Sequence, residues 1–92
     1  MKLYLVCYDV ADPRWLRRTA KIVEAYGRRV QKSVFECRLT LSQLKKLFEE
    51  LQHVMNAKED HVLAYALPFA AVPEGLGLAA DWMVPDVETV VA

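Results

Sequence analysis

Apolar and polar residues are distributed along the chain in three distinct rhythms. Residues 2 to 8, KLYLVCY, are apolar on both faces of any strand, which predicts a central strand covered on both sides. Asp12 followed by Pro13 signals a helix start. Asp can cap the free amides, and Pro loses nothing at a first helical position whose N–H has no intrahelical partner. From about Pro13 to Tyr26 the residues Leu16, Ala20, Val23 and Tyr26 recur at helical spacing, with Arg14, Arg17, Arg18 and Lys21 around them. Gly27 then ends the helix, as a residue that accepts the left-handed conformation.

RRVQKSVFECRL, residues 28 to 39, reads as one strand. One face would carry Gln31, Ser33, Phe35, Cys37 and Leu39, the other Val30, Lys32, Val34, Glu36 and Arg38. Thr40 with Gln43 three residues on matches a capping box. Leu41, Leu44, Leu47, Phe48, Leu51 and Val54 form the stripe of a second amphipathic helix. After a polar turn, HVLAYAL is a further strand. The stretch from 68 to 81 holds Pro68, Pro73, Gly75 and Gly77, which restricts any strand there to a short or edge piece. The final WMVPDVETVVA is apolar and β-branched enough to pair with a sheet edge or to cross to a partner subunit.

The order of elements predicts a single α+β domain over residues 1 to 92, a ferredoxin-like β-α-β-β-α-β sandwich with both helices on one face of the sheet. The chain has 92 residues, 54% of them hydrophobic. A domain this short buries only roughly 60–65% of its unfolded surface, so the open sheet face is expected to pack against a second copy, giving a homodimer with sheets face to face.

Charge changes this picture more than composition does. The formal net charge is zero, yet Arg14 to Arg38 holds eight basic residues against two acids, and from Glu59 onward there are six acids and no Lys or Arg. The basic run suits a polyanion-binding surface or an ordinary solvated helix face. No run is long and apolar enough for a membrane helix or a secretory signal, so a cytoplasmic location is expected. Cys7 and Cys37 lack metal-site spacing and read as reduced, buried thiols. His53 and His61 have no partners at ligand spacing and read as a helix-end and a strand-start residue.

Three segments together resemble the CRISPR-associated Cas-two proteins, small dimeric members of the spacer-acquisition machinery. They are YDV closing the first strand, RWLRRTAKIVEAYG over the basic helix, and RRVQKSVFEC after the glycine. The resemblance covers roughly residues 1 to 67 and implies a homodimer in which two copies of Asp9 approach across a two-fold axis and hold a divalent ion. It also implies metal-dependent phosphodiester cleavage of RNA or DNA, a scaffold role bridging integrase subunits on captured DNA, or both. From Pro68 onward the chain departs from the family pattern.

On this reading Asp9 is a catalytic residue and a Mg²⁺ ligand, with a surface salt bridge to Arg17 or Arg18 as its other chemistry. Asp12 is better explained as a cap. Arg14, Arg17, Arg18, Arg28 and Arg29 are expected to grip phosphates through guanidinium forks on duplex DNA or single-stranded RNA. Tyr8, Ser33 and Phe35 are expected to border the cleft. Ser33 suits a phosphate donor, whereas for Tyr8 and Phe35 the core is the favoured place, as is usual for aromatic residues. A toxin-like ribonuclease of the same fold is the alternative function.

Overall fold

The computed structural model describes residues 1 to 76. Its elements run β1 (Lys2–Asp9), α1 (Pro13–Glu24), β2 (Arg28–Gln31), β3 (Val34–Leu39), α2 (Leu41–Leu51) and β4 (His61–Leu67). The four strands form one antiparallel sheet in the order β2-β3-β1-β4. This is the ferredoxin-like α+β sandwich, complete by Leu67. No strand follows β4 among the described residues, and the expected pairing of WMVPDVETVVA lies outside them. No described helix is long and apolar enough to cross a membrane.

Both helix starts follow from their caps. Asp12 accepts from the Arg14 amide at 2.8 Å with Pro13 opening α1. Thr40 and Gln43 exchange both bonds of a capping box at 2.8 and 3.1 Å. The α1 stripe is rotated from the expected one. Thr19 and Val23 are its buried residues, while Leu16 lies at the surface. In α2, Leu47 and Leu51 are buried and Leu44 and Phe48 pack beside them, but Leu41, in the first turn, is 60% exposed. Tyr26, just beyond α1, donates its hydroxyl to the Glu50 carboxylate, and that bond pushes its pKa up to about 12.

Two expectations require correction. The segment from Arg28 to Leu39 is a hairpin, turning at Lys32 and Ser33, with an irregularity between Arg29 and Gln31. A continuous strand would put Val30 and Phe35 on opposite faces; the hairpin puts both in the core. Gly27 is needed for space, since α1 already ends at Glu24. A Cβ at Gly27 would lie 2.2 Å from the Glu36 carbonyl oxygen and 2.4 Å from Cys37 Sγ, so the chain crosses β3 where no side chain fits.

Alternation along β1 divides the molecule. Tyr4, Val6 and Tyr8 join Phe35, Cys37 and Leu39 beneath the helices in the main core. Leu3, Leu5, Cys7 and Asp9 take the opposite face, in register with Arg38, Glu36 and Val34 of β3 and with Leu67, Tyr65, Leu63 and His61 of β4. Among the described residues no helix covers this second face. Leu63 and Tyr65 stand 48% and 56% exposed on it.

Candidate functional site

The end of β1 feeds two different surfaces. Tyr8 turns toward the helices and lines a groove of about 450 Å³ between α1 and the β2–β3 turn. Arg17 and Lys21 of α1 line it on one side, and Arg29, Lys32 and Ser33 of the hairpin on the other, with Leu16 and Ala20 between them. Glu24 is the one acid among the described residues of the lining. The Ser33 carbonyl accepts from the Tyr8 amide at 3.1 Å, and the Tyr8 hydroxyl reaches the Lys32 carbonyl at 3.5 Å, so the turn is docked on β1. Four cations over an apolar floor suit a phosphate-bearing ligand.

Asp9 turns the other way. It is exposed at the margin of the open face, opposite His61, and its side chain takes part in no hydrogen bond or ion pair among the described residues. Asp9 and the groove are therefore separate surfaces joined by one strand end, rather than one cleft.

The arginines are divided in the same way. Arg17 and Arg29 reach the groove, Arg29 with its guanidinium 5.2 Å from the centre of the Phe35 ring. Arg14 and Arg18 lie over Trp15 at 5.9 and 5.5 Å on the far flank of α1. There, with Arg17 and Lys21, they line a second groove against Ile22 and Val54. Arg14 also meets Asp12 at 3.4 Å; its side-chain bond holds the Asp12 carboxyl below the usual carboxylate range.

Arg28 faces the other way from Arg29 and is engaged by Glu36 at 3.2 Å in a largely buried ion pair. Phe35 is fully buried, its ring 6.0 Å from that of Tyr8, so it supports the groove from below without lining it. Lys21 and Lys32 are groove residues that the sequence reading counted only as charge. Their signal was the parity break between Val30 and Phe35, which marks the turn bringing Lys32 back toward α1.

The thiols are both free. Cys37 is buried in the core, and desolvation pushes its pKa up to about 12, leaving it protonated and inert. Cys7 is half-buried on the open face.

The family model for CRISPR associated protein Cas2 matches residues 1–71. The CRISPR-associated endoribonuclease Cas2 3 of Synechocystis is 40% identical over 67 residues, covering 73% of each chain. The CRISPR-associated endoribonuclease Cas2 of Thermus thermophilus is 43% identical over 77 residues, 83% of this chain and 78% of its own. Among solved structures, a hypothetical protein TT1823 from Thermus thermophilus aligns with a TM-score of 0.74 at 34% identity, over 84% of this chain and 92% of that one. Streptococcus pyogenes Cas2 aligns with a TM-score of 0.66 at 37% identity, over 71% and 84%. Element order, sheet order and sequence thus agree, and the chain belongs to the CRISPR-associated Cas2 family.

Proposed function

We propose that this protein is a homodimeric, metal-dependent endonuclease that hydrolyses phosphodiester bonds in RNA or DNA within CRISPR adaptation. The observation that carries the reading is the exit of β1, where a carboxylate with no partner among the described residues stands on an apolar face while its neighbour Tyr8 lines a cationic groove. The relatives' description as endoribonucleases supports cleavage as the chemistry and RNA as a substrate.

The donor set suits Mg²⁺ only in part within one chain. Asp9 supplies hard oxygens, but no group of three His, Cys, Asp or Glu side chains gathers among the described residues. A second copy supplies the second carboxylate. The open face supports that arrangement, because Leu5, Cys7, Leu63 and Tyr65 leave an apolar surface beside Asp9 that a twin surface would cover. A divalent ion held there would polarise a phosphoryl oxygen and ease ionisation of water. Asp9 serves as ligand first. Arg17 and Arg29 hold the nucleic-acid backbone with Lys21 and Lys32, and Ser33 offers a hydroxyl to a phosphate oxygen. Hydrolysis adds the hydroxyl of water to phosphorus, breaks one P–O ester bond and leaves the proton on the departing oxygen.

Asp9→Asn keeps size and removes charge. Incubation of purified protein with single-stranded RNA and with duplex DNA, in Mg²⁺ or EDTA, should show Mg²⁺-dependent cutting that Asp9→Asn lowers by about 10²–10³-fold. Equal cutting by the variant would refute the assignment.

A scaffold role on DNA, bridging integrase subunits, has its own support in α1. Arg17 and Lys21 line the grooves on both flanks of the helix, and Arg14 and Arg18 extend the second one. Such a crest can follow a duplex backbone without base contacts. This role predicts that Asp9→Asn leaves DNA binding intact.

A further inference from the structure

The connection from β1 to α1 runs from Val10 to Asp12, and each of its residues is anchored in its own way. Val10 is buried in the core and Asp12 caps α1. Ala11 donates its amide to Asp60 Oδ1 at 2.9 Å, across 49 positions of sequence. The second Asp60 oxygen accepts from the Asn56 amide at 2.8 Å. Asp60 is only 9% exposed and forms no ion pair among the described residues. Both oxygens are thus committed to backbone amides of two different loops, a task suited to a carboxylate with two acceptor oxygens.

The loop that carries Asp60 is itself fixed. The Asn56 carbonyl accepts from the amides of Glu59 at 3.0 Å and Asp60 at 2.8 Å, and Asn56 Oδ1 accepts from Lys58 at 2.9 Å. This wound turn gives Asp60 a firm base from which to hold Ala11. Ala11 lies two residues after Asp9, and Asp60 lies one before His61, the register partner of Asp9. One buried carboxylate therefore closes the corner at which both strand ends sit.

We infer that Asp60 is a positioning residue for Asp9: by clamping the β1–α1 connection to the α2–β4 loop, it holds the strand end that carries the Asp9 carboxylate. The inference rests on the proposed ligand role of Asp9. Without the clamp, the last β1–β4 pair becomes the margin at which the sheet frays.

The test uses the full chain and Asp60→Asn, Asp60→Ala and Asp9→Asn variants. Mn²⁺ alone is the probe, its binding read by electron paramagnetic resonance, and amide exchange is followed by NMR. In the wild type the Ala11 amide should exchange as slowly as amides inside β1. Asp60→Ala should speed exchange at Ala11 at least tenfold and weaken Mn²⁺ binding about tenfold, the range for loss of a supporting hydrogen-bond partner. Asp60→Asn, which keeps one acceptor oxygen, should fall between. Affinity for RNA in EDTA should stay within about twofold of wild type in both variants, because the groove does not use this corner.

Should Asp60→Ala not fold, wild-type exchange and Asp60→Asn still decide the matter. An unprotected Ala11 amide in the wild type would overturn the inference. So would Mn²⁺ binding of wild-type strength in the Asp60 variants that fold, with Asp9→Asn weakened. If Asp9→Asn also binds Mn²⁺ like the wild type, the reading of Asp9 fails, and the inference with it.

Discussion

The two sides of the β1 exit differ in how complete they are. The groove between α1 and the β2–β3 turn is built by one chain, with cations on both walls and a docked turn beneath. The open face has an apolar middle, an acid at one margin and an ion pair already closed between Arg28 and Glu36. One surface can meet a polyanion as it stands; the other needs the proposed second copy to complete it. A strand that alternates is enough to separate them, since Tyr8 and Asp9 are neighbours in sequence and point to opposite faces. Binding and cutting should therefore be separable by mutation.

The sharpest way to break that comparison is a crossed pair of variants. Asp9→Asn should lower cleavage by about 10²–10³-fold, the scale for losing one electrostatic stabiliser of a transition state, and leave binding in EDTA unchanged. Gel-shift and cleavage assays on the same preparations would decide it, and a parallel loss of binding would merge the two surfaces into one. Next in size is the open face. Leu63→Asp with Tyr65→Asp places two charges where a twin surface would bury them, and should weaken self-association roughly 100-fold or more in sedimentation velocity. A monomeric wild type would remove the second carboxylate from the proposed site.

On the groove side, Arg17→Ala with Arg29→Ala should weaken binding of single-stranded RNA and reduce the salt dependence by about 1.4 log units per log unit of salt, two phosphate contacts being lost. An unaltered slope would take those residues out of the interface. The smallest effect concerns the thiols. With a pKa near 12, Cys37 has roughly 10⁻⁴ of its population as thiolate at pH 8, so it should resist a disulfide reagent in the native protein. Cys7 should become the faster thiol when the Leu63 and Tyr65 substitutions uncover its face. Equal rates in wild type and variant would argue that no second copy covers it.

Clamps and pairings of long range were the part hidden from sequence. Asp60 looks like one more polar turn residue until Ala11 is brought to it. Arg28 and Arg29 look equivalent until the bend of the hairpin sends one to Glu36 and the other over Phe35. Phe35 itself is an aromatic residue in an alternating run, and only the packing of helix on sheet seals it completely.

The sequence alone determined the local grammar: an apolar first strand ended by Asp9, two capped amphipathic helices and a basic stretch around the first helix. Those features depend on residues within a few positions of each other, where periodicity and capping act. Tertiary structure decided the turn at Lys32 and Ser33, the tight crossing at Gly27, the pairing of Arg28 with Glu36 and the hold of Asp60 on Ala11. Each of these depends on strands brought together from distant parts of the chain, and side-chain patterns along a single segment carry no record of which neighbour will lie across from it.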